Sequence, residues 1–206
     1  MTLESKPWCQ AIEEFIHEQA LPREKYGHQP RLYALARAIA DAGPELYDDD
    51  VLFAAAWLHD LGVFTGHRPE DLEALARWDN VVYAMARTPE ILAGFGFPAE
   101  KVGAVVEAIR THQPSGRPTT PEGAILRDAD ILEQLGAIGA LRTICKIGRD
   151  TRFPTFTAAV ESLRRALATL PAQLALPAAR QLAKPRILAL ESFLEAATAE
   201  SGDALH

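Results

Sequence analysis

The dipeptide His59-Asp60 closes the apolar stretch AAAWLHDLG, a lone His28 precedes it, and Asp130 follows in RDADILEQLG. Two imidazoles and two carboxylates form a borderline-to-hard donor set without thiolate, suited to one divalent metal such as manganese, iron, nickel, cobalt, zinc or magnesium. A metal with open coordination positions moves the pKa of bound water from about 15.7 toward about 7. At about 1.36 kcal/mol per pKa unit that is roughly 12 kcal/mol, more than an ordinary side-chain base offers. Each residue taken singly has a plainer reading. A histidine on an apolar helix face is commonly a hydrogen-bonded core residue. Asp130, costly to bury without a partner, has Arg127 and Arg142 as alternative salt-bridge partners.

The elements that must position these residues are helical. Trp8, Ile12, Phe15 and Ile16 share one face of a first helix, which Pro22 ends. Leu32, Leu35, Ala36 and Ile39 stand at i, i+3, i+4 and i+7 of a second, with Pro30 in its first turn and Gly43-Pro44 at its stop. His28 is thereby placed at or just before an N-terminus. Asp48, Asp49 and Asp50 offer a cap for a third helix, in which Leu52, Ala55, Ala56 and His59 share a face and Gly62 terminates.

Further on, the pattern predicts a loop around Thr65 to Pro69, a helix from about Asp71 to Arg87, a short helical piece ending at GFGFP, and a helix from about Ala99 to Thr111. QPSGRPTTP, residues 113–121, reads as a loop long enough for a lid or pocket wall. A helix from about Glu122 to Leu135 then carries Asp130, and Gly136 breaks it. Pro154, Pro171, Pro177 and Pro185 mark later boundaries or kinks. With no repeats and no convincing strand, the expectation is an all-α fold in a single domain.

Composition narrows the function classes. A chain of 206 residues with 48% hydrophobic content can bury a substantial core. Its formal charge of -7, with 21 scattered basic residues, argues against a nucleic acid polymer as partner. An anionic substrate therefore needs a local basic pocket. Cys9 and Cys145 lack metal-type spacing, which favours a reducing cytoplasm over a disulfide framework. The opening MTLESKPWCQ lacks the form of a signal peptide, and no apolar run approaches 18 residues. No membrane partner is expected, and a homodimer remains open.

From about His28 to about Arg149 the chain resembles the HD-domain superfamily of metal-dependent phosphohydrolases, whose signature is His, then His-Asp, then a distant Asp. The match rests on His28, His59-Asp60 and Asp130 in order, with Arg31 three residues after the first His, IRTH ending at His112, and RDAD leading into ILEQLGAIGALR. A His-Asp pair alone is weak evidence; the ordered set with its flanks outweighs the plainer readings. The resemblance implies a single compact helical domain with an HD core over about residues 24–150 and a helical extension over about 151–200. It also implies metal ligation by His28, His59, Asp60 and Asp130.

Departures from the family pattern bear on the chemistry. Two-metal members carry additional histidines. His112 matches one such position, while Asn80, in RWDNVV, stands where many relatives carry another and is a poor ligand for a transition metal. His112 is left with three readings: a ligand of a weak second metal, a phosphate donor above a single metal, or a helix-terminal residue packed on the loop. Three residues after Asp60, where some nucleotidase members carry an acid that activates water, stands Val63. Asp60 itself, or water held by Asp79 or Glu70, is the alternative, though neither spacing compels it. His67 is either a substrate contact or solvent-exposed, and His17 and His206 look incidental.

Candidate cations for an anionic substrate are Arg31, one turn from His28, together with Arg142, Lys146 and Arg149. Solvation or pairing with a nearby carboxylate is the alternative for each. The leading expectation is a single-metal phosphohydrolase acting on a small phosphorylated metabolite, most plausibly a nucleotide. Asp60 and Arg31 would be catalytic, and Arg31, His112, Arg142 and Lys146 would bind substrate. A di-iron oxygenase and a non-catalytic metal-binding regulatory module are the other classes.

Overall fold

The computed structural model describes residues 6–44, 46–148, 153–202 and 205. Among them every regular element is helical, and strand-type pairing is limited to an isolated bridge between Thr65 and Arg68. The fold is all-α, as the periodicity implies. None of the described helices is long and apolar enough to cross a membrane. Contacts divide the chain into two compact units, Met1–Arg127 and Asp128–His206.

The first unit holds α1 (Pro7–Gln19), α2 (His28–Ala42), α3 (Asp49–Leu58), α4 (Leu72–Ala76), α5 (Asn80–Gly94), α6 (Val102–Thr111) and the start of α7 (Pro121–Glu133). Its centre is α3, buried from Asp50 to Leu58 and packed against α1, α2 and α6. The sequence accounts for that position. Ala54, Ala55 and Ala56 let neighbouring helices approach, while Leu52, Phe53 and Trp57 fill the space between them.

A capped N-terminus starts α3: the Asp48 carboxylate accepts from the backbone N–H groups of Asp50 and Val51 at 3.0 and 3.4 Å, a contact worth about 1 kcal/mol. Buried Asp50 is held by Lys101 at 2.8 Å and by Lys6. Burial alone would raise its pKa, but the two ammonium groups outweigh it and hold the carboxyl below its ordinary value. The helix that must deliver His59 is thus fastened at its far end.

Between residues 71 and 94 the structure departs from the predicted helix of Asp71 to Arg87. The chain breaks after Ala76 because the Asp79 side chain accepts from the N–H groups of Val81 and Val82 at 2.9 and 3.0 Å, capping a new helix. That helix, α5, continues through Pro89 to Gly94. Burial of Ile91 and Leu92 offsets the hydrogen bond that a proline nitrogen cannot make. The loop after His112 is also fastened: Arg127 donates twice to the Pro114 carbonyl, at 3.1 and 2.8 Å.

The second unit comprises the rest of α7 with α8 (Gly136–Ile144), α9 (Phe156–Thr169) and α10 (Pro177–Ser201), and α8, α9 and α10 pack on one another. α7 ends at Glu133, two residues short of the expected Leu135, and Gly136, at φ +73°, opens α8. Pro171 opens a 3-10 turn and Pro177 opens α10, whereas Pro185 lies inside α10. Fully buried Asp128 accepts from the backbone N–H groups of Ala175 and Leu176 and fixes the approach to α10.

Candidate metal centre

The first unit brings His28, His59 and Asp60 together. His28 is the first residue of α2, and His59 stands immediately after α3 as its C-terminal cap. Asp60 leaves helical geometry at φ −103°, ψ 17° and leads into a 3-10 turn, Leu61–Val63. Two helix ends and the turn leaving the second therefore meet at one point. Both imidazoles are buried, His28 5% and His59 0% exposed, while the Asp60 side chain keeps 21% of its surface open. Ligands approached by solvent from the carboxylate side are what an open-position metal site requires.

The donor atoms fit one ion. His28 Nε2 and His59 Nε2 are 3.3 Å apart, and Asp60 Oδ2 lies 3.7 and 3.6 Å from them. Bonds of about 2.0–2.2 Å to one metal separate neighbouring ligands by about 3.0–3.5 Å, so the two longer edges need to close by only a few tenths of an ångström. His59 Nδ1 lies 2.9 Å from the Ala56 carbonyl. Donating there fixes the tautomer that leaves the Nε2 lone pair toward His28 and Asp60.

His112 joins this cluster as the C-cap of α6. It is 3% exposed, its ring is 4.9 Å from that of His59 at 73°, and its Nδ1 lies 2.6 Å from the Ile109 carbonyl. Asn80, at the start of α5, sends its amide Nδ2 toward Asp60 Oδ1 at 3.5 Å. Arg31 sits on α2 at the surface, with Nη1 only 2.7 Å from the place a Cβ on Gly27 would take. The absence of a side chain on Gly27 is what lets the guanidinium lie there.

The other candidates have contacts of their own. In the second unit, half-buried Asp130 accepts from Gln134 Nε2 at 3.2 Å. Arg142 pairs with Glu133 at 3.4 Å, and Lys146 lies over the Phe153 ring at 5.9 Å. Arg149 and His206 fall outside the described residues. His17 packs edge-on against Tyr26. His67 is half-buried, its Nδ1 2.9 Å from the Tyr83 hydroxyl and its Nε2 2.8 Å from Gln19 Oε1.

Three contacts around the centre have no counterpart in the sequence reading. Lys25 donates to the Val63 carbonyl, the Trp78 indole donates to the Gly62 carbonyl at 2.8 Å, and Asn80 reaches Asp60 as described. The one available signal was Gly62 itself. A Cβ on it would stand 2.7–3.0 Å from the backbone oxygen, Cα and Cβ of Asn80, so a glycine two residues after Asp60 reports a close backbone approach.

A family model described as HD domain matches residues 26–135. A predicted HD superfamily hydrolase from an uncultured Thermotogales bacterium is 24% identical over 97% of each chain, with a TM-score of 0.65. YpgQ of Bacillus subtilis is 20% identical over 95% of this chain and 96% of its own, with a TM-score of 0.73. The same protein in complex with ADP gives 0.69 at 20% identity, covering 95% and 98%. No curated protein matches the sequence.

Proposed function

The chain belongs to the HD-domain family, and from that premise we propose that it is a single-metal phosphohydrolase acting on a small phosphorylated metabolite, most plausibly a nucleotide. The convergence of His28 Nε2, His59 Nε2 and Asp60 Oδ2 carries this reading. Asp130 enters it from the RDAD motif alone. The ADP held by the structurally similar YpgQ supports a nucleotide as the substrate class.

His28, His59 and Asp60 would hold a divalent ion, which would supply Lewis acidity toward a phosphoryl oxygen and lower the pKa of water. The protein's own groups do the rest. His59, with its Nδ1 turned to the Ala56 carbonyl, has its ring fixed so that Nε2 faces the cluster. Asp60 offsets positive charge with one oxygen and stands on the solvent side, where it can take a proton from water entering the site. His112, anchored through Nδ1 to Ile109, presents its other nitrogen beside the cluster as a phosphate contact. Arg31, one turn beyond His28, adds a guanidinium that can grip a phosphate with two parallel hydrogen bonds.

The deciding experiment is a hydrolysis screen over nucleoside mono-, di- and triphosphates and generic phosphate esters, run with Mn, Co, Ni and Mg. Metal-dependent release of phosphate or pyrophosphate from at least one nucleotide is expected. Bound metal with no turnover on any phosphate ester would favour the regulatory module instead, and two iron atoms per chain would favour the oxygenase.

A further inference from the structure

Asp60 uses its two oxygens differently. Oδ2 faces His28 and His59, whereas Oδ1 is turned toward the first residue of α5, where Asn80 Nδ2 lies 3.5 Å away. The start of α5 is itself docked onto the turn that follows Asp60. Trp78 Nε1 donates to the Gly62 carbonyl at 2.8 Å. The bare Cα of Gly62 lets the Asn80 backbone come closer than any side chain would permit. The Asp79 carboxylate, by capping Val81 and Val82, fixes where the helix begins. Trp78 and Asn80 thus make three contacts that end on the same stretch, Asp60–Gly62, and Asp79 sets where their helix starts.

From this docking we infer that Asn80 is a positioning residue for the metal centre. Its amide holds Asp60 Oδ1, so that the carboxylate presents Oδ2 alone to the ion. A carboxylate with both oxygens free can swing about its Cβ–Cγ bond and bind through one oxygen or both. A fixed amide donor on one oxygen selects the one-oxygen mode and lowers the ordering cost of binding. The neutral amide does so without adding charge beside the ligand. The inference rests on the metal-site reading above and adds to it a residue that touches no ion.

The test compares chelator-stripped wild type with Asn80→Ala and Asn80→Leu; the second keeps nearly the original volume and removes only the donor. Each is titrated with Mn2+ for its Kd, loaded with Co2+ for its visible absorption, and melted without metal. Expected are Kd values raised about 10- to 100-fold in both variants, altered Co2+ bands, and metal-free melting temperatures equal to wild type. Unchanged Kd and Co2+ bands would overturn the inference while leaving the metal site intact. A metal-free melting temperature lowered in both variants, with Co2+ bands like those of wild type, would make Asn80 a packing residue only. A wild-type chain that takes up neither ion would overturn the metal-site reading itself, and the inference with it.

Discussion

His28 Nε2 and His59 Nε2 face each other across 3.3 Å, one from the first residue of α2 and the other from the residue just past α3. Two imidazole lone pairs at that distance repel unless a proton or a cation lies between them. The carboxylate of Asp60, 3.6–3.7 Å from both, supplies the negative charge that favours a cation. Because the two histidines belong to different helices, an ion shared by them ties α2 to α3.

That tie makes metal a contributor to stability. An ion that binds only the folded chain adds RT ln(1 + [L]/Kd), about 2.7 kcal/mol at one hundred times Kd. Calorimetric melting with Mn2+ and again with excess chelator should show a lower melting temperature for the chelated protein. Superimposable curves would show that no ion supports this fold.

Arg31→Ala and His112→Ala should separate substrate contacts from ligands. Both variants should retain about one metal ion per chain by elemental analysis. Turnover on a phosphorylated substrate should drop at least tenfold, as expected when a charge-assisted contact to phosphate is lost. Loss of metal from the Arg31 variant would make that residue a structural partner of His28 instead.

Gly62→Ala addresses the packing beside Asp60. The added methyl would meet the Asn80 backbone at 2.7–2.8 Å, and backbone yields less readily than a flexible side chain. A loss of about 1–3 kcal/mol is expected from overpacking, read by urea denaturation of the metal-free protein. Wild-type stability would show that α5 can shift at no cost.

His67 predicts a pH dependence away from the centre. Burial first, and then the Arg87 charge, lower its pKa from the ordinary 6.5. The neutral ring uses both nitrogens, accepting from Tyr83 and donating to Gln19. Since the unfolded chain binds the proton more readily, stability is full above about pH 6.5. It falls as pH drops toward the lowered value. Melting temperatures of metal-free wild type and His67→Gln should converge as pH is lowered through this window; parallel profiles would contradict the linkage.

Much of this arrangement is legible in the sequence because local chemistry decides it. Asp48 as cap and the apolar run to Trp57 set α3 through neighbours a few residues away, and Pro30 in the first turn places His28 at the start of α2; the sequence carries α3 on toward Gly62, whereas it stops at Leu58 and leaves His59 as its cap. The break at Asp79 is hidden in the sequence because helical periodicity continues across it, while a single carboxylate captures two backbone N–H groups. The contact of Asn80 with Asp60 is hidden for a different reason. It depends on α5 docking onto Gly62, a tertiary event that leaves only a glycine as its trace. In RDAD, spacing alone does not separate the two carboxylates. The contact of buried Asp128 with the N–H groups ahead of α10 is long-range and leaves no local mark.

The most direct measurement is metal content, by elemental analysis, of purified wild type and His59→Ala prepared side by side. The account predicts about one divalent transition-metal ion per wild-type chain and little in the variant, with the variant still helical by circular dichroism. Full occupancy in folded His59→Ala would contradict the site.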